Sequence, residues 1–255
     1  MTLFTLSSLI TGVLSLILGL FILFTRGHTR LNRLWIAVTG CIGLWSVGLF
    51  GVTFFDSYSY AYASQIILDI AAIFIPVTFV HFVLLLIGKE EHHKRNIIAV
   101  YIFAILLAML SVTPYFKTGI EPILDFKRWI VPGPIYWYFP IFFGIIAVTS
   151  VYLLVKNLRV TVGMQRQQIK FVLFAALIGF GGGFFNFLPQ ISKTYPIGNF
   201  LVGFYIVAVT YAMVKYRLFD IRLVVVRSIV YVLLSTIVAF IFTALSIFFS
   251  SFFER

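Results

Sequence analysis

The chain has 255 residues, of which 62% are hydrophobic and only 11% charged, and its mean hydropathy is +1.08. So little charge cannot solvate the outside of a water-soluble protein of this size, so lipid is the solvent for most of its surface. The net charge of +11 does not signal nucleic-acid binding, because the basic residues are spread over short loops and form no contiguous patch interleaved with aromatics.

A helix rises about 1.5 Å per residue, so about 20 apolar residues span a hydrocarbon core of about 30 Å. Eight stretches meet this test or come close to it: Leu3–Thr25, Leu34–Phe55, Tyr62–Ile87, Ile97–Thr113, Ile135–Val155, Phe171–Leu188, Ile197–Val214 and Ile229–Phe253. The predicted fold is all-α, a polytopic transmembrane bundle of about eight helices, and no interval between stretches has room for a folded soluble domain.

The first stretch lacks the basic start and the small-residue cleavage site of a secretory signal. Its basic cluster comes afterwards, at Arg26, Arg30 and Arg33, which makes that loop cytoplasmic and the N-terminus extracytoplasmic. Counting onward, fourteen of the nineteen basic residues fall in loops on the inner side. Trp35 at the inner edge of the second stretch, and Trp129, Tyr136, Trp137 and Tyr138 at the outer side, have the placement of an interfacial aromatic belt. Cys41, the single cysteine, reads as a small buried apolar side chain.

The third stretch holds Asp69, about two turns from its outer end. A carboxylate at that depth needs a partner or a proton, and it reads either as an extracytoplasmic ligand or proton site or as a structural acid bonded to neighbouring helices. His81 lies twelve residues on, about 18 Å by helical rise, too far to form a dyad with Asp69, and reads as a packing or interfacial histidine. Pro76 between them is expected to kink the helix and to act as a lever between its outer and inner halves. In the next inner loop, Glu90-Glu91-His92-His93 lacks the i, i+4 histidine pair of a zinc protease and reads as a charged hairpin, with no metal expected.

The longest connection, Pro114–Pro134, is punctuated by four prolines and is expected to be an ordered or semi-rigid outer cap. Its mixed charges, Lys117, Glu121, Asp125, Lys127 and Arg128, read as solvated. In the sixth stretch, Gly179 and Gly183 are spaced for close helix approach. Asn186 and Gln190 follow on one face at the depth of Asp69. Together these three residues outline an outer-leaflet polar pocket between the third and sixth helices, with Trp137 and Tyr138 as walls; interhelical hydrogen bonding is the competing reading of the polar pair. No nucleophile elbow, no phosphate-binding loop and no histidine–aspartate–nucleophile set occurs.

The segment Tyr216-Arg217-Leu218-Phe219-Asp220-Ile221-Arg222, leading through Arg227 into the eighth stretch, strongly resembles the end of the N-terminal seven-transmembrane sensor region of bacterial histidine kinases. Arg33-Leu34-Trp35 with Trp45, Pro76 with His81-Phe82, and Arg166–Lys170 agree less specifically. The resemblance implies a sensor or input module of a two-component signalling receptor, in the bacterial inner membrane, that passes a ligand or membrane-state signal to a cytoplasmic output domain. On that reading, residues 1–214 are the sensor bundle, 215–228 a cytoplasmic basic junction and 229–255 an eighth helix. Pro76, Arg217, Asp220 and Arg222 are the candidate transmission residues, with Asp220 able to pair with Arg217 on one helical face.

No phosphoacceptor-histidine region and no ATP-binding domain lies within these residues, so a truncated receptor or a stand-alone sensor-like protein, without enzymatic activity of its own, is expected. The expected partners are membrane lipids, a small-molecule or peptide signal and a second copy of the chain, with no cofactor and no nucleic acid. The alternative from another class is a small transporter or channel, motivated by Asp69, Pro76 and the glycine-rich sixth stretch.

Overall fold

The computed structural model describes residues 2–26 and 29–205, with Ala208, Leu234, Ser235 and Ile237. Most of the predicted seventh stretch, the Lys215–Arg227 junction with Arg217, Asp220 and Arg222, and the eighth stretch lie outside the described residues. Six helices among those described are long and apolar enough to cross a membrane. They are built on α1 (Leu3–Arg26), α2 (Arg30–Phe54), α3 (Tyr58–Leu86), α4 (Lys94–Ser111), α5 (Tyr138–Leu158) and α6 (Gly163–Phe184), the fourth span starting at Glu91 and the sixth running on to Ser192. A 3-10 turn (Phe185–Phe187) and the short α7 (Leu188–Ser192) extend α6, and residues 199–205 are again helical.

The helices overrun their apolar cores where capping permits. Thr29 takes an extended conformation and its side chain accepts from the Asn32 amide at 3.2 Å, so α2 begins at Arg30 and carries its basic residues on the first turn. At the far end of α3, Gly88 adopts φ 69°, and the amides of Gly88 and Lys89 bond back to the carbonyls of Leu85 and Leu84 at 3.0 and 2.8 Å. That is a Schellman stop, with glycine at the left-handed position because any Cβ is disfavoured there.

α2 lies between α1 and α3, and α3 is the hub, touching α2, α4 and α5. Close approach of α2 to α3 depends on Gly48: a Cβ there would stand 2.8 Å from the Leu68 amide nitrogen and the Ser64 carbonyl oxygen. In α6 one member of the expected pair is in close contact: a Cβ on Gly179 would stand 3.1 Å from the Tyr205 ring, whereas one on Gly183 would meet only Phe143, at 4.0 Å. The tightest approach is at Gly182, where a Cβ would stand 2.5 Å from the Gly198 carbonyl oxygen. Three hydroxyls on α1 are buried with partners: Ser7 and Ser8 donate to the Phe4 carbonyl, and Thr5 donates to Thr53 of α2.

The long connection is more than a loop. It contains an antiparallel hairpin, β1 (Lys117–Ile123) and β2 (Phe126–Pro132), with Ile120 opposite Ile130 and Glu121 opposite Trp129. Phe116, Ile120, Phe126, Trp129 and Ile130 are buried. The hairpin caps the bundle at the start of α1, where the Phe4 ring lies 4.8 Å from Phe126. The all-α expectation therefore holds for the bundle and gains one small sheet.

The hairpin is also tied to the α2–α3 turn. Lys127 donates to the Asp56 carboxylate at 2.6 Å, and Arg128 donates to the Asp56 backbone carbonyl at 2.7 Å. The Lys127 hydrogen bond and then its charge hold Asp56 below the usual carboxylate range. A lowered native pKa means the contribution is present above the unfolded value of about 3.9 and is lost as pH falls through the lowered one. Both side chains are exposed, so the effect is small. The difference in melting temperature between the parent and Asp56→Asn is expected to be slight and constant from pH 7 to 5, shrinking only under more acidic conditions; a difference that disappears by pH 6 would contradict it.

Candidate functional site

Each of three helices turns one face inward. On α2 the face is Val38, Ile42, Trp45, Leu49 and Val52, alternating steps of four and three. α3 contributes Gln65, Leu68, Asp69, Ala72, Ile75 and Phe79, and α6 contributes Ala176, Gly179, Phe180 and Gly183, continued by Asn186, Phe187 and Gln190. Between them lies a cavity. Phe139 and Phe143 of α5 and Val202 and Tyr205 of the last described helix close its sides, while Trp129, Ile130 and Tyr136 cover the end beneath the hairpin.

Asp69, Asn186 and Gln190, which the sequence places at one depth, thus share one cavity wall system. Trp137 and Tyr138 do not join them; they are 42% and 62% exposed, and the aromatic walls are their neighbours Trp129 and Tyr136. The belt reading also fails for Trp35, Trp129 and Tyr136, which are core residues, with Trp35 packed 4.9 Å from Phe82. Their rings are drawn inward by the hairpin lid and the aromatic core, which remove them from the lipid boundary.

Asp69 is 1% exposed and fully engaged. Gln65, one turn earlier on the same face, donates to one carboxylate oxygen at 2.8 Å, and the Lys117 ammonium reaches the other at 2.8 Å. Lys117, expected to be solvated, is itself 1% exposed. Its Nζ also donates to the Ser111 carbonyl at 2.5 Å, at the negative end of the α4 dipole, and lies 5.5 Å from the Tyr62 ring centroid. A buried carboxylate requires compensation, and of the basic residues placed on the outer side this is the one the hairpin delivers to it. The need for a partner was legible at Asp69; the partner's identity was not, since forty-eight residues separate the two.

Gln190 locks the lid to α6. Its amide oxygen accepts from Trp129 Nε1 at 2.9 Å and from the Tyr136 hydroxyl at 3.2 Å, and its nitrogen donates to the carbonyls of Phe187 and Asn186. The Tyr136 hydroxyl, on a residue 3% exposed, is a donor in this network. Asn186 donates to the Gly183 carbonyl at 3.1 Å, but its Oδ1 is buried without a partner among the described residues.

A second polar cluster ties the opposite end together. His81 Nε2 lies 3.0 Å from Glu90 Oε1 and its Nδ1 lies 3.2 Å from the Tyr101 hydroxyl, while Arg30 donates to the same Glu90 oxygen at 2.7 Å. Here α2, α3, α4 and the turn before α4 meet. Pro76 stands between the two clusters, buried in α3. Having no amide hydrogen, it leaves the Ala72 carbonyl without its usual helical donor, so the softest point of α3 is in the cavity wall itself.

A multi-helix membrane bundle with an internal cavity beneath an ordered lid is the architecture of a receptor or carrier domain, and it contains no constellation of catalytic groups among the described residues. A family model for the N-terminal 7TM region of histidine kinase matches residues 7–222. The chain belongs to that family. It is a membrane input region of the sensor type, a multi-pass segment of the bacterial inner membrane. No curated protein and no solved structure matches it.

Proposed function

We propose that this chain detects a small, largely apolar molecule within the bilayer and passes the event to a cytoplasmic output domain. The observation that carries the reading is the cavity between α2, α3 and α6, apolar along its length and polar at the hairpin end. Such a space, mostly apolar with a few convergent polar groups, is the usual form of a ligand site. Occupancy bears directly on Ala72, Ile75 and Phe79, the residues on either side of Pro76. A change of packing there alters α3 at its weakest turn, and α3 leads to the His81–Glu90–Arg30 cluster at the basic end. The onward steps, through Arg217, Asp220 and Arg222, are part of the proposal. A transport role would need a polar group free to exchange a cargo or a proton, and both oxygens of Asp69 are held.

Filling the cavity tests the reading. Ala72 is 5% exposed and lines the cavity, while Ile67 on the same helix is 47% exposed. In a receptor joining this region to a histidine-kinase core, Ala72→Leu is expected to abolish or at least tenfold blunt the response, about 1.4 kcal/mol of lost coupling or more. Ile67→Leu should leave it unchanged. A normal response from a correctly inserted Ala72→Leu protein would remove the cavity from the signalling path.

A further inference from the structure

The chemistry of the cavity narrows its occupant, on the footing that the cavity is the signal site. Val52 lies fourteen residues beyond Val38 on α2, and Phe79 fourteen beyond Gln65 on α3, about 21 Å by helical rise in each case, so the space is elongated along the bundle axis. Among the described residues the only charged side chain that lines it is Asp69, and Lys117 neutralises that carboxylate. A charged ligand group would be stripped of water with no counter-ion to receive it.

The polar groups differ in what they leave open. Gln65 is committed to Asp69, and Gln190 to the lid and the backbone. Two groups in the wall remain without partners among the described residues: Asn186 Oδ1, an acceptor near the hairpin end, and the hydroxyl of Tyr205, a residue 4% exposed, which can donate or accept. Buried polar atoms without partners are costly, and both are satisfied by a ligand that brings one donor and one further hydrogen-bonding group. The Tyr205 ring packs over Gly179, seven residues or about 10 Å from Asn186, so the two stations lie at different depths.

We infer that the cavity takes a single-chain amphiphile with an uncharged head bearing hydroxyl or amide donors. The head lies against Asn186, the polar group that joins head to chain meets the Tyr205 hydroxyl, and the apolar chain lies along the α2, α3 and α6 faces.

The test uses this chain in phospholipid nanodiscs, in a Trp137→Phe background. The remaining tryptophans, Trp35, Trp45 and Trp129, are all buried, and Trp45 and Trp129 line the cavity. Dibrominated monooleoylglycerol, dibromostearate and a dibrominated alkyltrimethylammonium are added in turn, and the quenching that 1-monooleoylglycerol competes away is measured. The uncharged probe is expected to bind at least about tenfold more tightly than either charged one. Asn186→Leu should weaken it about tenfold and Tyr205→Phe a few-fold, with the melting temperature retained.

Equal or tighter binding of a charged probe would overturn the head assignment and leave the cavity as the site. No competable quenching by any probe would overturn both. Brominated phospholipid alone quenching the buried tryptophans, unrelieved by 1-monooleoylglycerol, would show a bilayer chain as the occupant and overturn the proposal. Uncharged-probe binding that is indifferent to Asn186→Leu would do the same for the role given to that residue.

Discussion

Lys117→Met is expected to destabilise the bundle by about 3–5 kcal/mol, the cost of leaving a buried charge without its partner. Asp69 would keep only the Gln65 amide, and the Ser111 carbonyl would lose its ammonium donor. The hairpin would also lose the tether that draws β1 into the bundle, so increased proteolysis between Pro114 and Pro134 should accompany the loss of stability. The informative comparison is with the double variant Asp69→Leu, Lys117→Met. Replacing both members of a buried pair with apolar groups is often neutral, so the double variant should recover most of the melting temperature that the single one loses. A double variant no more stable than Lys117→Met would show that the pair is not the source of the coupling.

Gly48→Ala and Gly40→Ala are expected to change stability in opposite directions, though both sit in α2. Alanine is the better helix former by about 0.5–1 kcal/mol, so where there is space the substitution stabilises. Gly40 has that space, with no atom within 4 Å of an added Cβ. At Gly48 the same carbon would press on the backbone of Ser64 and Leu68, which cannot rotate away as a side-chain tip can. Separating α2 from α3 there disturbs the cavity faces of both helices, and overpacking of this kind costs about 1–3 kcal/mol. Thermal melting of the two variants in the same detergent decides the matter, and a neutral Gly48→Ala would mean that the helices are not held at that distance.

Much of the bundle could be read from the residues. Each membrane helix among those described was visible as an apolar run, because the bilayer sets a length requirement that is local to the chain. Asp69, Asn186 and Gln190 could be grouped by depth alone, since depth follows from position along a helix. Helix ends were misplaced where polar residues continue the helix past the apolar run, as at Arg30 and Gly163, because hydropathy marks the membrane and capping marks the helix. Trp137 and Tyr138 were chosen over Trp129 and Tyr136 because nothing in four clustered aromatics tells which rings a hairpin will bury.

The sequence alone thus establishes a polytopic helical protein, the spacing of its spans, the loops that carry its positive charge and the need of Asp69 for compensation. These depend on hydrophobic length and on the cost of an isolated charge in lipid, both properties of a short segment. Tertiary structure alone decided that Lys117 answers Asp69, that a hairpin lids the bundle, that Gly182 joins Gly179 in close contact where Gly183 was expected to, and which face of each helix lines the cavity. In water a helix declares its inward face by contrast with a polar one. Here the outward face meets lipid and is equally apolar, so the contrast vanishes and only packing distinguishes the wall of the cavity from the boundary of the membrane.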